Sequence, residues 1–594
     1  MKTLRIANCS GFYGDRLAAA REMVEGGPID ILTGDYLAEL TMAILWRLRR
    51  RDPKGGYVRT FLTQMEQVLG TCLDRGIKVV SNAGGLNPEG MAEQLGELAG
   101  SLGLQPRIAC VTGDDLSARV GELQKLNGLR HFDTGQPLPS SIKPLTANAY
   151  LGGTGIAEAL SWDADVVVTG RVTDAAVVIG PGMWAFDWAA DDYDALAGAL
   201  VAGHIIECGA QCTGGNYAFF DRVPKPERVG FPIAELTADG SAVITKHPGT
   251  GGVVSVGTVT AQLLYEVGGV RYHNPDVTAR LDTIRLSQEG PDRVSVTGVR
   301  GEPPPYTLKV ALNYLGGYRN SVTMMITGLD ADRKAESVTT ALWESLGGAE
   351  QFEEAAVTFS DTGHADPTTN EAAMSQLRIT VKGPDPNKVG RRFSRAAVEL
   401  ALAHYPGFFM TAPPQGSSPY AVYWPTTVDA SEVVQQVRMG DRERTVSPPR
   451  RSEPGIAEDA STDPVEVDST PSIKHSRRWQ DTETVTVPLG RVLGARSGDK
   501  GGDANVGVWA ESPDAFEWMV EFLTESRFRE LISEAAGLEV ERHVLPNLWA
   551  VNFVVRGLLG EGVSSNTRTD PQAKSLGEYL RAKFVPLPAS LLKG

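Results

Sequence analysis

The sequence predicts an α/β protein: a large N-terminal region with a doubly wound, mostly parallel sheet and a β-rich second lobe, followed by a small C-terminal α+β module. Three observations carry this. Short β-branched runs alternate with amphipathic segments through the first 180 or so residues, the pattern of helical crossovers covering both faces of a parallel sheet. After roughly residue 240 the texture turns β-rich. A Pro-, Ser- and charge-rich stretch then sets off a compact final segment.

The elements follow in order. LRIANC precedes DRLAAAREMVEG, IDILTGD precedes LAELTMAILWRLRR, and IKVVSNAGG precedes EGMAEQLGELAGSLG; RIACVTGDD follows, and DVVVTGRVTD leads into AAVVIG. Each pair reads as a strand and its crossover helix. AVITKHPGTGGVVSVGTV, RVSVTGV, YTLKVALNYLGGYRNSVTMMITG and QLRITVKG supply the β-rich lobe, with a boundary expected near residue 240. The N-terminal region is expected to span 1–427 and a linker 428–480, because this stretch buries too little apolar area to offset its ordering entropy. The module spans 481–594, with strands TVTVPLGRVLGA, NVGVWA and LWAVNFVVRG and two helices among them.

A net charge of −16 opposes a nucleic-acid role, which needs a positive footprint. No apolar run approaches the roughly 18 residues of a membrane span, and MKTLRIANCSG reads as a first strand rather than a signal peptide. A cytoplasmic protein is expected, acting on a small anionic molecule and assembling as a homo-oligomer. Five cysteines without CxxC spacing suit a reducing compartment, and Cys208 and Cys212 read as buried small hydrophobes rather than metal ligands.

In an open parallel sheet, ligands bind beyond the carboxyl ends of the strands. Those ends here carry Ser10, Asp35, Asn82 and Gly84, Asp114 and Asp115, and Arg171, Thr173 and Asp174. A single aspartate there suits a helix N-cap. Three such ends with carboxylates, with Arg171 among them, point instead to a ligand cleft. Asp35, Asp115 and Asp174 are the candidate acid/base groups, and Arg171 the bidentate partner of a carboxylate or phosphate.

Two glycine turns add candidates. TANAYLGGTG places Gly153 and Thr154 ahead of a helix, where bare backbone N–H groups suit an anion or an oxyanion. HPGTGG pairs Gly251 with His247, a proton carrier near neutral pH. In the C-terminal module, ARSGDKGGDANVGV is no P-loop, since Lys500 follows Gly498 too closely and no hydroxyl follows the lysine. It reads as a glycine-bracketed loop whose Arg496, Asp499 and Lys500 meet an anionic substrate.

These motifs together, GFYGDRLAAA, LTGDYLAELTMAIL, SNAGGLNP, TGRVTDAAVVIGP, ECGAQCTGGNY, HPGTGGVVSVGTVTAQLLYEVG and ARSGDKGGDANVGVWA, make the sequence resemble the acyclic terpene utilisation (AtuA) family of bacterial catabolism. The resemblance implies a long N-terminal domain, a ferredoxin-like C-terminal domain, and a coenzyme A thioester or branched acid as substrate. Lyase or hydratase chemistry is the leading expectation. No residue set demands a resident cofactor. A divalent-metal enzyme with Asp35, Asp114 and Asp115 as oxygen ligands is a further option, as is a non-catalytic partner of a carboxylase or other pathway enzyme.

Overall fold

The computed structural model describes residues 2–446, 479 and 482–592. It forms two compact units: one comprises Met1–Asn313, Trp424–Val563 and Asp570–Gly594, the other Tyr314–Tyr423 and Ser564–Thr569.

The first unit begins with β1 (Thr3–Asn8), α1 (Ala19–Glu25), β2 (Ile31–Gly34), α2 (Glu39–Arg51), α3 (Arg59–Arg75), β3 (Lys78–Ser81), α4 (Pro88–Ser101) and β4 (Ile108–Thr112). α5 (Val120–Asn127), β5 (Pro144–Ala149), α6 (Thr154–Ser161), β6 (Val166–Thr169), α7 (Ala176–Phe186) and α8 (Tyr193–Ile206) follow. Strands β1, β2, β3, β6 and β4 lie side by side in that order, all parallel. Their strict period of two divides the core. Ala7, Leu32, Val79 and Val168 join Met23, Phe61 and Met91 of α1, α3 and α4 in one apolar cluster. Ile6, Ile31, Val80 and Val167 are as deeply buried on the other face, where α6 and α7 pack. Both faces are therefore covered, and each such side chain contributes roughly 1.5–3 kcal/mol.

After β3 the chain skips one position to reach β4, and β6 fills the gap. A reversal of strand order leaves a crevice beyond the carboxyl ends of the strands it separates.

The β-rich segment does not form a separate lobe at residue 240, which lies in the turn between β7 (Pro232–Thr237) and β8 (Ala242–Lys246). The chain continues through α9 (Val256–Leu263), β9 (Arg271–His273), β10 (Thr278–Arg280), β11 (Arg285–Gly290), β12 (Arg293–Thr297), β13 (Arg300–Glu302) and β14 (Thr307–Thr327). β7 pairs antiparallel with β1, and β8, β12 and β11 continue outward. The parallel layer is thus the centre of a mixed, 11-stranded sheet. Short hairpin turns explain the difference, because an antiparallel strand extends an existing edge without a crossover.

In the second unit, α10 (Ala331–Leu346), β15 (Glu354–Ser360), β16 (Met374–Gly383), α11 (Phe393–Glu399) and β17 (Phe409–Met410) accompany the distal part of β14. The antiparallel sheet β15-β16-β14-β17 packs through Ile326, Leu377 and Ile379 on Leu342 and Phe393.

β18 (Ser418–Asp429) returns the chain to the first unit, where β19 (Gln435–Met439) and β20 (Arg442–Val446) close the far edge of the large sheet on β4. Residues 428–446, expected to lie in the linker, instead hold the end of β18, a 3₁₀ turn, β19 and β20, with Val437 opposite Val111. The remainder of the expected linker lies outside the described residues except at 479. The C-terminal module contains β21 (Thr484–Pro488), β22 (Leu493–Lys500), β23 (Asp503–Ala510), α12 (Pro513–Phe522), α13 (Glu525–Leu531), β24 (Val540–Leu545), β25 (Ala550–Val555), α14 (Leu576–Arg581) and β26 (Phe584–Pro588). Its antiparallel sheet β22-β23-β25-β24 has its own core around Phe516, Met519, Phe528 and Phe553. No described helix is long and apolar enough to cross a membrane.

Candidate functional site

Polar side chains cap the parallel strands at one end, and nearly all of them are buried: Asn8 and Ser10 after β1, Asp35 after β2, Asn82 after β3, Asp114 after β4 and Arg171 after β6. Buried polar groups are costly unless paired, and most of the pairs are here. The Tyr36 backbone N–H donates to Asn82 Oδ1 at 2.9 Å, which turns the Asn82 amide so that its Nδ2 donates to Asp35. Asp35 Oδ1 also accepts from Leu37 N at 3.1 Å. Asp114 accepts from Arg171 N at 2.9 Å and from Asn148 Nδ2 at 2.8 Å.

Arg171 is the guanidinium among these strand-end residues, and it is buried. Its Nη1 donates to Asp174 Oδ1 at 2.6 Å, and its Cζ lies 4.2 Å over the Tyr150 ring. Lys309 approaches the same ring, at 5.0 Å, and the Tyr150 hydroxyl donates to Glu39 Oε1 at 2.8 Å. Glu207, at the end of α8, completes the arrangement: Asp35, Asp174 and Glu207 each place a carboxylate oxygen within 4.8 Å of the others. Asp35 and Glu207 are 2% and 5% exposed, so their mutual repulsion is little screened by water.

The proton affinities divide accordingly. Burial first, then the charge of Asp174, pushes Asp35 up to about 7 against the opposing pull of Arg171 and Asn82. Burial, Asp174 and Asp35 raise Glu207 well above the usual carboxylate range. Glu39 goes the other way: burial opposes its charge, but Lys309 and Arg171 outweigh it and hold the carboxyl at about 2. Neighbouring carboxyls driven apart in this way can serve as acid and base.

From the C-terminal module, the β22–β23 hairpin reaches the same cluster. ARSGDKGGDANVGV is a two-stranded ladder with Lys500 opposite Asp503 and Gly501 at φ +64° in the two-residue turn. Lys500 Nζ donates to the Glu266 carbonyl at 2.7 Å. Burial, then Lys309, lowers the Lys500 ammonium to about 8. Burial, then Glu39, raises Asp499 to about 6.

Several expected site residues fall elsewhere. Asp115 is exposed and accepts from Ser117 N, a local turn, and its buried neighbour Asp114 faces inward instead. His247 is buried beneath Gly26 and Gly27, with Nε2 2.9 Å from the Met23 carbonyl. Gly251 packs on the carbonyls of Lys225 and Arg228, where a Cβ would stand 2.5 and 2.4 Å from them. The Gly153 nest is filled by the chain itself: Gly153 N donates to Asp276 Oδ2 at 2.8 Å, so the start of α6, opened by Thr154, already has its anion. Arg496 pairs with Gln211 and lies over Tyr265, a docking contact. Ser10 donates to the Phe12 carbonyl, Thr173 to Asn274, and Gly84 lets β3 approach the Thr169 carbonyl. Asp35, Asn82, Arg171, Asp174, Asp499 and Lys500 come together. Glu39, Glu207, Glu266 and Lys309 join them, at positions that no strand-end or glycine-turn motif marks. Glu207 follows a helix whose second half is apolar but for His204, and its sequence signal is a carboxylate at the end of that run.

The expected metal set Asp35, Asp114 and Asp115 does not assemble, since Asp115 turns outward. The oxygen-rich group that does is Asp35, Asp174 and Glu207.

No curated protein and no solved structure matches the chain. Two family models do: the acyclic terpene utilisation family protein AtuA over residues 4–439 and the AtuA ferredoxin-like domain over residues 487–586. The strand-end charge cluster and the hairpin that reaches it lie within these two matched stretches, and the chain belongs to the AtuA family of acyclic terpene utilisation.

Proposed function

We propose that the protein is an enzyme of acyclic terpenoid or branched-chain acid breakdown, carrying out lyase- or hydratase-type acid–base chemistry on a coenzyme A thioester or a branched acid. The observation that carries this reading is the buried Asp35–Asp174–Glu207 cluster beside Arg171 at the carboxyl ends of the parallel strands. Neutral Glu207 supplies a proton, Asp174 on Arg171 supplies a carboxylate to receive one, and Lys500 and Lys309 attract an anionic substrate. In a hydration, Asp174 takes a proton from water as its oxygen bonds to the β-carbon of an unsaturated thioester. Glu207 protonates the α-carbon. Solvent then restores both groups.

The test uses senecioyl-coenzyme A, a β-branched α,β-unsaturated thioester. Thermal shift reports binding, since a ligand at about 100 times its Kd adds roughly 2.7 kcal/mol. Mass spectrometry reports addition of water or cleavage. A shift with product supports the reading; neither shift nor product with this thioester and its free acid contradicts it.

A second reading, a divalent-metal enzyme, is favoured by the convergence of three carboxylate oxygens. Magnesium or manganese there would polarise a substrate oxygen, and Arg171 would orient Asp174. Elemental analysis of the purified protein, with Glu207→Gln as the control that loses the ion, decides between the two.

A further inference from the structure

Segment 265–267, just after α9, is gripped by the C-terminal module at three points. Glu266 N donates to Asn505 Oδ1 at 2.9 Å, Lys500 Nζ donates to the Glu266 carbonyl at 2.7 Å, and Asn552 Nδ2 donates to the Val267 carbonyl at 2.9 Å. Asn505 and Asn552 are themselves hydrogen-bonded and fully buried. Tyr265 fits only because Gly498 has no side chain, whose Cβ would stand 2.2 Å from the ring.

Held this way, Glu266 adopts φ +58°, a left-handed conformation that a residue with a Cβ avoids. Such strain persists only where the surroundings over-determine it. Here both backbone polar groups of the residue are fixed by side chains from the module. Glycines stand nearby at 268 and 269, yet the strained position carries a glutamate.

That carboxyl enters the strand-end cluster. Tyr265 hydrogen-bonds to it, and its charge interacts with Asp499 and Lys500 of β22, Asp174 of the loop after β6, Glu39 of α2, Glu207 and Cys208 at the end of α8, and Tyr272 of β9. We propose that Glu266 is a proton-donating acid of this site, positioned by the C-terminal module, so that the module is a working part of the active centre. The proposal rests on the reading of the strand-end carboxylates as that centre. Glu266 gives its proton to the thioester carbonyl oxygen as water adds to the β-carbon, is left as a carboxylate facing Lys500, and takes that proton back as Glu207 protonates the α-carbon. Burial, then Asp499, holds its proton affinity up at about 8, so the group is neutral at pH 7.

Infrared difference titration of the full-length protein tests this without a substrate. The wild type is expected to show a protonated-carboxyl band that titrates near pH 8 and is missing in Glu266→Gln. Asn505→Ala, which frees the strained residue, should lower the midpoint by at least about one pH unit. Asp499→Asn, which removes the negative charge that acts most on Glu266 and leaves the clamp intact, should lower it as well. A Glu266→Gln spectrum identical to wild type, or a midpoint that neither other variant moves, overturns the proposal. Turnover of senecioyl-coenzyme A by the same proteins is scored separately. Its absence in the wild type counts against the acid–base reading and leaves the infrared result standing.

Discussion

The carboxylates of Asp35 and Asp174, carried by the ends of two different strands, come within 4.8 Å of each other in a layer where Asp35 is almost wholly shielded from water. Arg171 donates its hydrogen bond to Asp174, whereas Asp35 accepts from Asn82 and Leu37. Asp35 is therefore pressed toward neutrality by burial and by the charge of Asp174.

A stability measurement reads this directly. Asp35 has a folded-state proton affinity near 7, above its unfolded value near 4. Between those values the folded state binds more protons, so stability falls as pH rises through the window. Asp35→Asn keeps an oxygen to accept from Asn82 and Leu37 and removes the charge. It should raise stability at pH 8 by more than about 1.4 kcal/mol, the worth of one pKa unit, with the gain fading below pH 4. Chemical denaturation at the two pH values checks it.

Arg171→Ala should behave in the opposite way. Arg171 is buried, so its loss leaves Asp174, Asp35 and Glu39 without their shared cation, a change that costs about 3–5 kcal/mol for a buried pair. The loss should be smaller at pH 5, where Asp35 is protonated. Asp174→Asn should leave the melting temperature close to wild type, because the Asp174 side chain is 31% exposed. Thermal melts of both variants at pH 5 and pH 8 separate the two effects.

Docking of the C-terminal module rests on missing side chains. At Gly507 a Cβ would stand 2.4 Å from Leu264 Cβ. Gly507→Ala should cost about 1–3 kcal/mol through overpacking and increase hydrogen exchange of residues 264–267. Unchanged exchange there would show that the module does not brace this segment.

Much of the centre was legible in the sequence because strand ends are local. LTGD, SNAGG and TGRVTD each announce a strand followed by a polar turn, and parallel packing alone brings Asp35, Asn82 and Arg171 to one edge. What local sequence does not carry is which distant segment meets that edge. Glu39 lies in the first turn of an ordinary helix, Lys309 on a strand distant in sequence, and Glu266 beside a glycine pair, and only tertiary packing draws them in. Local chemistry also misdirected: His247 and Gly153 sit in glycine turns that look like ligand sites, but the first is bonded to the Met23 carbonyl and the second receives its anion from Asp276. The β-rich segment divides near residue 314 rather than 240: β7, β8, β12 and β11 extend the large sheet while 314–423 form most of the second unit, and a β-rich run looks the same whether it starts a sheet or extends one.

The most direct test compares senecioyl-coenzyme A turnover by wild type and Asp174→Asn at matched folding. If the carboxylates at the strand ends perform the chemistry, kcat falls at least about 100-fold in the variant while the melting temperature holds. Equal turnover by the two proteins would contradict the account.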